Sequence, residues 1–169
     1  MEEWVWEEQD EDVTVDAVAM PALNALEIIK CKLSCLPPGL ASSRRHALRE
    51  VRLYKLSNLT YIQNFASVVQ LKVSHFPKLK RISDLSKLQK IRISHCPNVE
   101  VLGVSSLDSM EMEDGTMETI PQYLTTVTPR YLKLTCSKRL YESLLTGSSS
   151  EYDKISHIKS RTICAEDED

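Results

Sequence analysis

Apolar residues recur along the chain in a fixed order: one, two spacers, a second, one spacer, a third, then a fourth three residues further on. Leu23, Leu26, Ile28 and Cys31 fill it first, then Leu48, Val51, Leu53 and Leu56, continuing to Leu59 and Ile62. A third copy runs Val68, Leu71, Val73, Phe76, Leu79, Ile82, and a fourth Leu88, Ile91, Ile93, Cys96, Val99, Leu102. A weaker fifth passes through Leu107, Met110 and Met112, with Gly115 where an apolar residue is expected; a partial sixth uses Leu132 and Leu134. The third residue of each copy advances from 28 to 53, 73, 93, 112 and 134, in steps of 25, 20, 20, 19 and 22.

These steps fall within the roughly 20–29 residues of a leucine-rich repeat. Within Leu71-Lys72-Val73 the alternation sends both apolar side chains to one side and the lysine to the other, as a strand requires. Phe76, Leu79 and Ile82 then return the chain beneath that strand, aimed at the same core. One such unit cannot bury its apolar side alone, so stacked neighbours must share a core. Pro37, Pro77, Pro97 and Pro121 fall on the return segments, where a missing backbone donor is tolerated. The expected fold is therefore an α/β-type solenoid: a leucine-rich-repeat horseshoe fragment with a parallel sheet on its concave face, irregular convex arcs and a C-terminal cap.

The division follows the same pattern. Residues 1–20, with Trp4 and Trp6, resemble the tail of a preceding repeat, and the acidic run 7–16 is expected to be mobile. About six repeats occupy 21–136. A cap spans 137–164: Ser137 caps a short helix through about Leu145, with Leu140, Leu144 and Leu145 on one face and Gly147 just past it. Residues 147–150 read as a loop, and a last strand follows in Ile155 to Cys164. An acidic tail closes the chain at 165–169.

Charge refines this layout. The net charge is −3, yet residues 1–20 hold eight acids and no Lys or Arg, and residues 166–169 are all acidic. Twelve acids and all 21 bases remain between 21 and 165. Within 44–95, twelve bases face only Glu50 and Asp84. A basic middle suits an acidic protein surface, a nucleic acid or the chain's own acidic ends. Five cysteines, at 31, 35, 96, 136 and 164, show no tight pairing pattern. With no secretory signal and no apolar run of membrane-spanning length, the expectation is a reduced cytoplasmic chain away from membranes.

Aligning the repeats builds ladders of outward residues. The first is Glu27, Arg52, Lys72, Arg92, Glu111 and Lys133; the second Ile29, Tyr54, Ser74, Ser94 and Glu113; the third Lys30, Lys55, His75, His95 and Asp114. Parallel neighbours lie about 4.8 Å apart, so Arg52, Lys72 and Arg92 form a like-charged column, mildly destabilising by itself. A column without evident compensation points to an acidic partner. The candidate partner-binding residues are Arg52, Tyr54, Lys55, Lys72, His75, Lys90, Arg92 and His95. Nucleic acid fits less well, because base stacking needs interleaved aromatics and only Tyr54 is offered. No catalytic, cofactor or metal site is expected. His75, His95 and Cys96 invite a thiol–imidazole or metal reading, but repetition alone accounts for the histidines, Cys96 takes the inward slot of Cys31, and two further zinc ligands are not identifiable.

Several segments together resemble the C-terminal region of plant nucleotide-binding leucine-rich-repeat disease-resistance proteins. They are Glu3-Trp-Val-Trp-Glu7, Met20-Pro-Ala-Leu23, Leu26-Glu-Ile28-Ile-Lys-Cys31, Leu36-Pro37 and Ile93-Ser-His-Cys-Pro-Asn98. Tyr131-Leu-Lys-Leu-Thr-Cys136 and Ser150-Glu-Tyr-Asp-Lys-Ile-Ser-His-Ile158 resemble that family's terminal cap. The resemblance implies protein binding in the defence response, through recognition of pathogen proteins or autoinhibition. Implied partners are a pathogen effector, a host protein or the receptor's own nucleotide-binding domain. The family's phosphate-loop pattern is absent from this sequence, so a nucleotide switch would lie elsewhere. Alternatives are a receptor fragment without activity and a substrate-recruiting subunit of a ubiquitin ligase, although residues 1–20 are short and acidic for an F-box-like segment. An extracellular array fits less, lacking its family's Asn-x-Leu-x-Gly-x-Ile-Pro turn.

Overall fold

In a computed structural model, described for residues 22–36, 47–104 and 107–166, the chain forms an α/β fold with a mostly parallel sheet and few helices. The main sheet joins seven strands: β1 (Ala25–Ile29), β2 (Glu50–Tyr54), β4 (Gln70–Ser74), β6 (Lys90–Ser94), β8 (Ser109–Glu113), β9 (Tyr131–Cys136) and β10 (Ser160–Ala165). All pair in parallel and in chain order. A second sheet joins β3 (Tyr61–Gln63), β5 (Arg81–Ser83) and β7 (Glu100–Val101).

Period-2 alternation decides which side chains are buried. In β2, Val51 and Leu53 are sequestered while Glu50, Arg52 and Tyr54 are only half covered. Leu71 and Val73 in β4, and Ile91 and Ile93 in β6, repeat the arrangement. Register pairs Leu53 with Val73, Val73 with Ile93 and Ile93 with Met112. Beneath them, Leu56, Leu59 and Ile62, then Phe76, Leu79 and Ile82, complete one continuous core. A fully buried aliphatic or aromatic side chain contributes about 1.5–3 kcal/mol, so burial dominates cohesion between units. In the first unit Leu23, Leu26, Ile28 and Cys31 are only partly buried.

The chain leaves β1, β2, β4 and β6 through a left-handed corner. Lys30, Lys55, His75 and His95 have φ of 55°, 55°, 62° and 52°. Their amides donate across to the next strand: Lys55 N to Ser74 O, His75 N to Ser94 O and His95 N to Glu113 O, each 2.9 Å. In the second sheet the same corner falls at Asn64 (φ 65°), Asp84 (φ 59°) and Gly103 (φ 66°), residue types that tolerate this conformation.

Four sequence expectations need correction. Leu102 is 40% exposed, and Val101 is the buried residue paired with Ile82; β7 presents Val101 inward, so its neighbour points out. Leu145 is 68% exposed although helix α1 (Lys138–Leu145) forms with Ser137 capping Leu140 N at 3.3 Å. Only Leu140 and Leu144 lie on its buried face. Residues 147–150 are not entirely loop: Ser149 caps a short helix α2 (Ser150–Asp153), accepting from Tyr152 N at 3.1 Å. Ile120, Tyr123, Leu124 and Val127, around a 3-10 turn at Gln122–Thr125, also join the core and were not anticipated. The expectations for residues 1–20, Pro37 and the tail at 167–169 lie outside the described residues.

Candidate functional site: the outer face of the main sheet

Register fixes one column of outward residues across all seven strands: Glu27, Arg52, Lys72, Arg92, Glu111, Lys133 and Thr162. The three central cations are adjacent, as alternation requires. Their charge, however, is compensated on the sheet itself. Arg52 Nε donates to Glu50 Oε1 at 2.8 Å, and Lys72 Nζ lies 3.5 Å from the same oxygen. Arg92 Nη2 donates to Glu113 Oε2 at 2.8 Å, with Glu111 at 3.7 Å. The expected column without evident compensation is therefore wrong. Glu50 lies two residues before Arg52, hence on the same face, and Glu113 stands one strand over in the adjoining ladder; strand periodicity was the signal available for both. The Arg52 guanidinium holds the Glu50 carboxyl below the usual range, and Arg92 does the same to Glu113. Both pairs are solvent-accessible, so screening by water and salt keeps their contribution to stability small.

Five of the eight candidate residues converge. Tyr54, Lys72, His75, Arg92 and His95, with Val73, Ser74, Ser94 and Glu113, line a hollow of about 280 Å³. Arg52 stands beside it, joined to Lys72 through Glu50. Lys55 occupies the corner before His75 and does not line the hollow, and Lys90 is exposed at the start of β6, in register with Gln70 and Ser109.

The histidine corners stack. The rings of His75 and His95 lie 4.6 Å apart at 16°. Ser74 Oγ is 2.7 Å from His75 Nδ1, whereas the Nδ1 of His95 is buried without a hydrogen-bond partner among the described residues. Desolvation lowers the His75 pKa from its ordinary value, and nearby His95 and Lys55 lower it further. Beyond the stack, Cys96 points into the core; its thiol reaches Ser94 O at 3.3 Å, and burial pushes its pKa up to about 11. A protonated thiol of this kind is a poor nucleophile or metal ligand. The five cysteines are free thiols. No group of three His, Cys, Asp or Glu suited to a metal ion occurs among the described residues. No helix among them is long and apolar enough to cross a membrane.

A second cavity, of about 380 Å³, opens between the segment following β6 and that following β8. Its floor includes Val99, Met112 and the buried Tyr123, whose hydroxyl lies 3.7 Å from Met112 Sδ. Burial raises the Tyr123 pKa, which keeps the phenol neutral. Its polar lining includes Glu100, Asp114 and Glu118, and it shares His95 and Glu113 with the first hollow. Asp114 accepts from Thr116 N at 3.0 Å and Thr116 Oγ1 at 2.6 Å, which fixes the turn after β8. Comparison with family models, with curated proteins and with solved structures finds no match.

Proposed function

We propose that the chain is the protein-binding leucine-rich-repeat module of a plant immune receptor, acting in defence by recognising pathogen proteins or by holding a receptor's own nucleotide-binding domain inactive. On this reading the parallel strands are the repeat strands of a horseshoe working in the cytoplasm, and the nucleotide switch belongs to another segment or chain. The observation that carries the reading is the unbroken outward column from Glu27 to Thr162, over a core whose positions from β2 to β6 follow one apolar template. Such a face is a rigid sheet with variable side chains, the arrangement by which repeat proteins bind partners. The resemblance of 3–7, 20–37, 93–98 and 131–158 to disease-resistance proteins supports the biological setting.

Neutral substitutions test it, because reversing the charges would place new carboxylates against Glu50 and Glu113. The triple change Arg52→Gln, Lys72→Gln and Arg92→Gln is expected to leave the fold intact, because all three side chains are solvent-accessible. The expected result is that the parent retains an identified pathogen protein or nucleotide-binding domain from infected leaf extract and the triple variant loses it. Equal retention by both, or no such protein retained by the parent, would overturn the reading.

A further inference from the structure

We propose that the hollow on this face and the cavity beside it, which meet at His95 and Glu113, read opposite charges, so that the partner contributes an extended segment carrying a basic and an acidic side chain. The inference rests on the reading of this face as a partner-binding surface and adds to it the chemistry of the bound segment. The cavity beyond β8 carries Glu100, Asp114 and Glu118, and no Lys or Arg lines it among the described residues. Neither Glu100 nor Glu118 forms an ion pair among those residues. With Val99, Met112 and Tyr123 as its floor, it suits a side chain with an apolar stem and a cationic tip, the form of arginine or lysine. At about 380 Å³ it holds one such side chain with room for water.

The neighbouring hollow has the opposite character. Lys72 and Arg92 line it with the hydroxyls of Ser74 and Tyr54; Arg92 and Ser94 Oγ already donate to Glu113 on its wall, so Lys72 is the cation left to meet a carboxylate. Lys72 is bound only loosely by Glu50, at 3.5 Å, and so retains donor capacity. His95 and Glu113 form the wall common to both sites. A segment lying across that wall meets positive charge on one side and negative charge on the other. This complementarity selects orientation as well as composition, since the reversed segment would set like charges against each other.

Single-sign probes test the arrangement in the intact chain by NMR titration. Acetyl-arginine amide is expected to shift the amide signals of Val99, Met112 and Thr116 saturably, and acetyl-glutamate amide those of Lys72, Ser74 and Arg92. Replacing two exposed carboxylates, Glu100→Gln with Glu118→Gln, should weaken the arginine probe about fivefold and leave the glutamate probe unchanged. Lys72→Gln should do the converse. Equal perturbation of both sets by either probe, comparable shifts with neutral acetyl-norleucine amide, or indifference of the arginine probe to the double change each overturn the inference. If neither probe saturates while partner retention still depends on Arg52, Lys72 and Arg92, the charge order falls and the binding reading stands.

Discussion

The middle of the molecule and its C-terminal end are held together by different means. Through β2, β4 and β6 the units step by twenty residues and cohere through equivalent aliphatic side chains, Leu53 on Val73 on Ile93. Their side-chain hydrogen bonds recur as well, Asn98 donating to Pro77 O at 3.3 Å as Asn58 does to Lys32 O at 3.5 Å; from β8 onward the steps lengthen and the polar contacts no longer repeat. Glu151 accepts from Ile120 N, and Lys154 Nζ donates to Ile120 O at 3.0 Å and to Glu151 at 2.9 Å. Arg161 donates to Ile158 O at 2.6 Å, bonds the Tyr152 hydroxyl and lies 4.9 Å over that ring. The contrast teaches that the middle reuses one small set of contacts at equivalent positions. An end has no further unit to pack on and requires side chains chosen for one place.

The largest expected effect tests the repeated half. Ile91→Asp buries an unpaired carboxylate between β4 and β8 and should cost several kcal/mol, enough to unfold the chain. A urea melt unchanged from the parent would show that the register is wrong. At the other end, Tyr123→Ala removes a buried ring where the apolar template has lapsed and should cost about 3–5 kcal/mol. A loss below about 1 kcal/mol would mean that this region is loosely packed and contributes little.

Smaller effects sharpen the contrast. Glu151→Ala leaves Ile120 N and Lys154 without their carboxylate and should cost about 1–3 kcal/mol. Faster amide exchange is expected around Ile120 and the α2 segment, with Leu71 to Val73 unaffected. Uniform acceleration would deny that the end is a separate source of stability. The least effect is pH dependence. Because the folded chain depresses the His75 pKa, the neutral imidazole is favoured, and stability is lost as pH falls through the ordinary histidine value of 6.5. Glu50 and Glu113, depressed below 4.5, keep their contribution until more acid conditions. Thermal melts at pH 7.5 and about 5.5 should therefore differ less in His75→Gln than in the parent. An identical difference in both would remove His75 as a contributor.

The same contrast explains what could be read from sequence. Strand positions in β2, β4, β6 and β8 were legible because two-residue alternation and a near-constant step both constrain them, and the helix after Ser137 because its cap and Gly147 bracket it. Leu102 and Leu145 were misplaced where an apolar residue sits beside the true inward position and composition cannot separate them. The core residues from Ile120 to Val127 follow no period in common with the earlier copies and are defined by tertiary packing alone. At the site, the cations were legible individually. Their neutralisation by Glu50 and Glu113 depends on side-chain reach across strands, and the division into two cavities on where a return segment departs from its neighbours.

The left-handed corners bear on how this face can vary. A strand residue such as Lys72 can be exchanged for many others without disturbing the backbone, whereas Lys30, Lys55, His75 and His95 occupy a conformation that costs non-glycine residues about 1–2 kcal/mol and punishes β-branched ones most. Diversification at those four places is thus restricted to a small alphabet, and Val, Ile or Thr would be expected to be excluded from it. Substitution is therefore expected to be tolerated more readily along the strands than at these four corners.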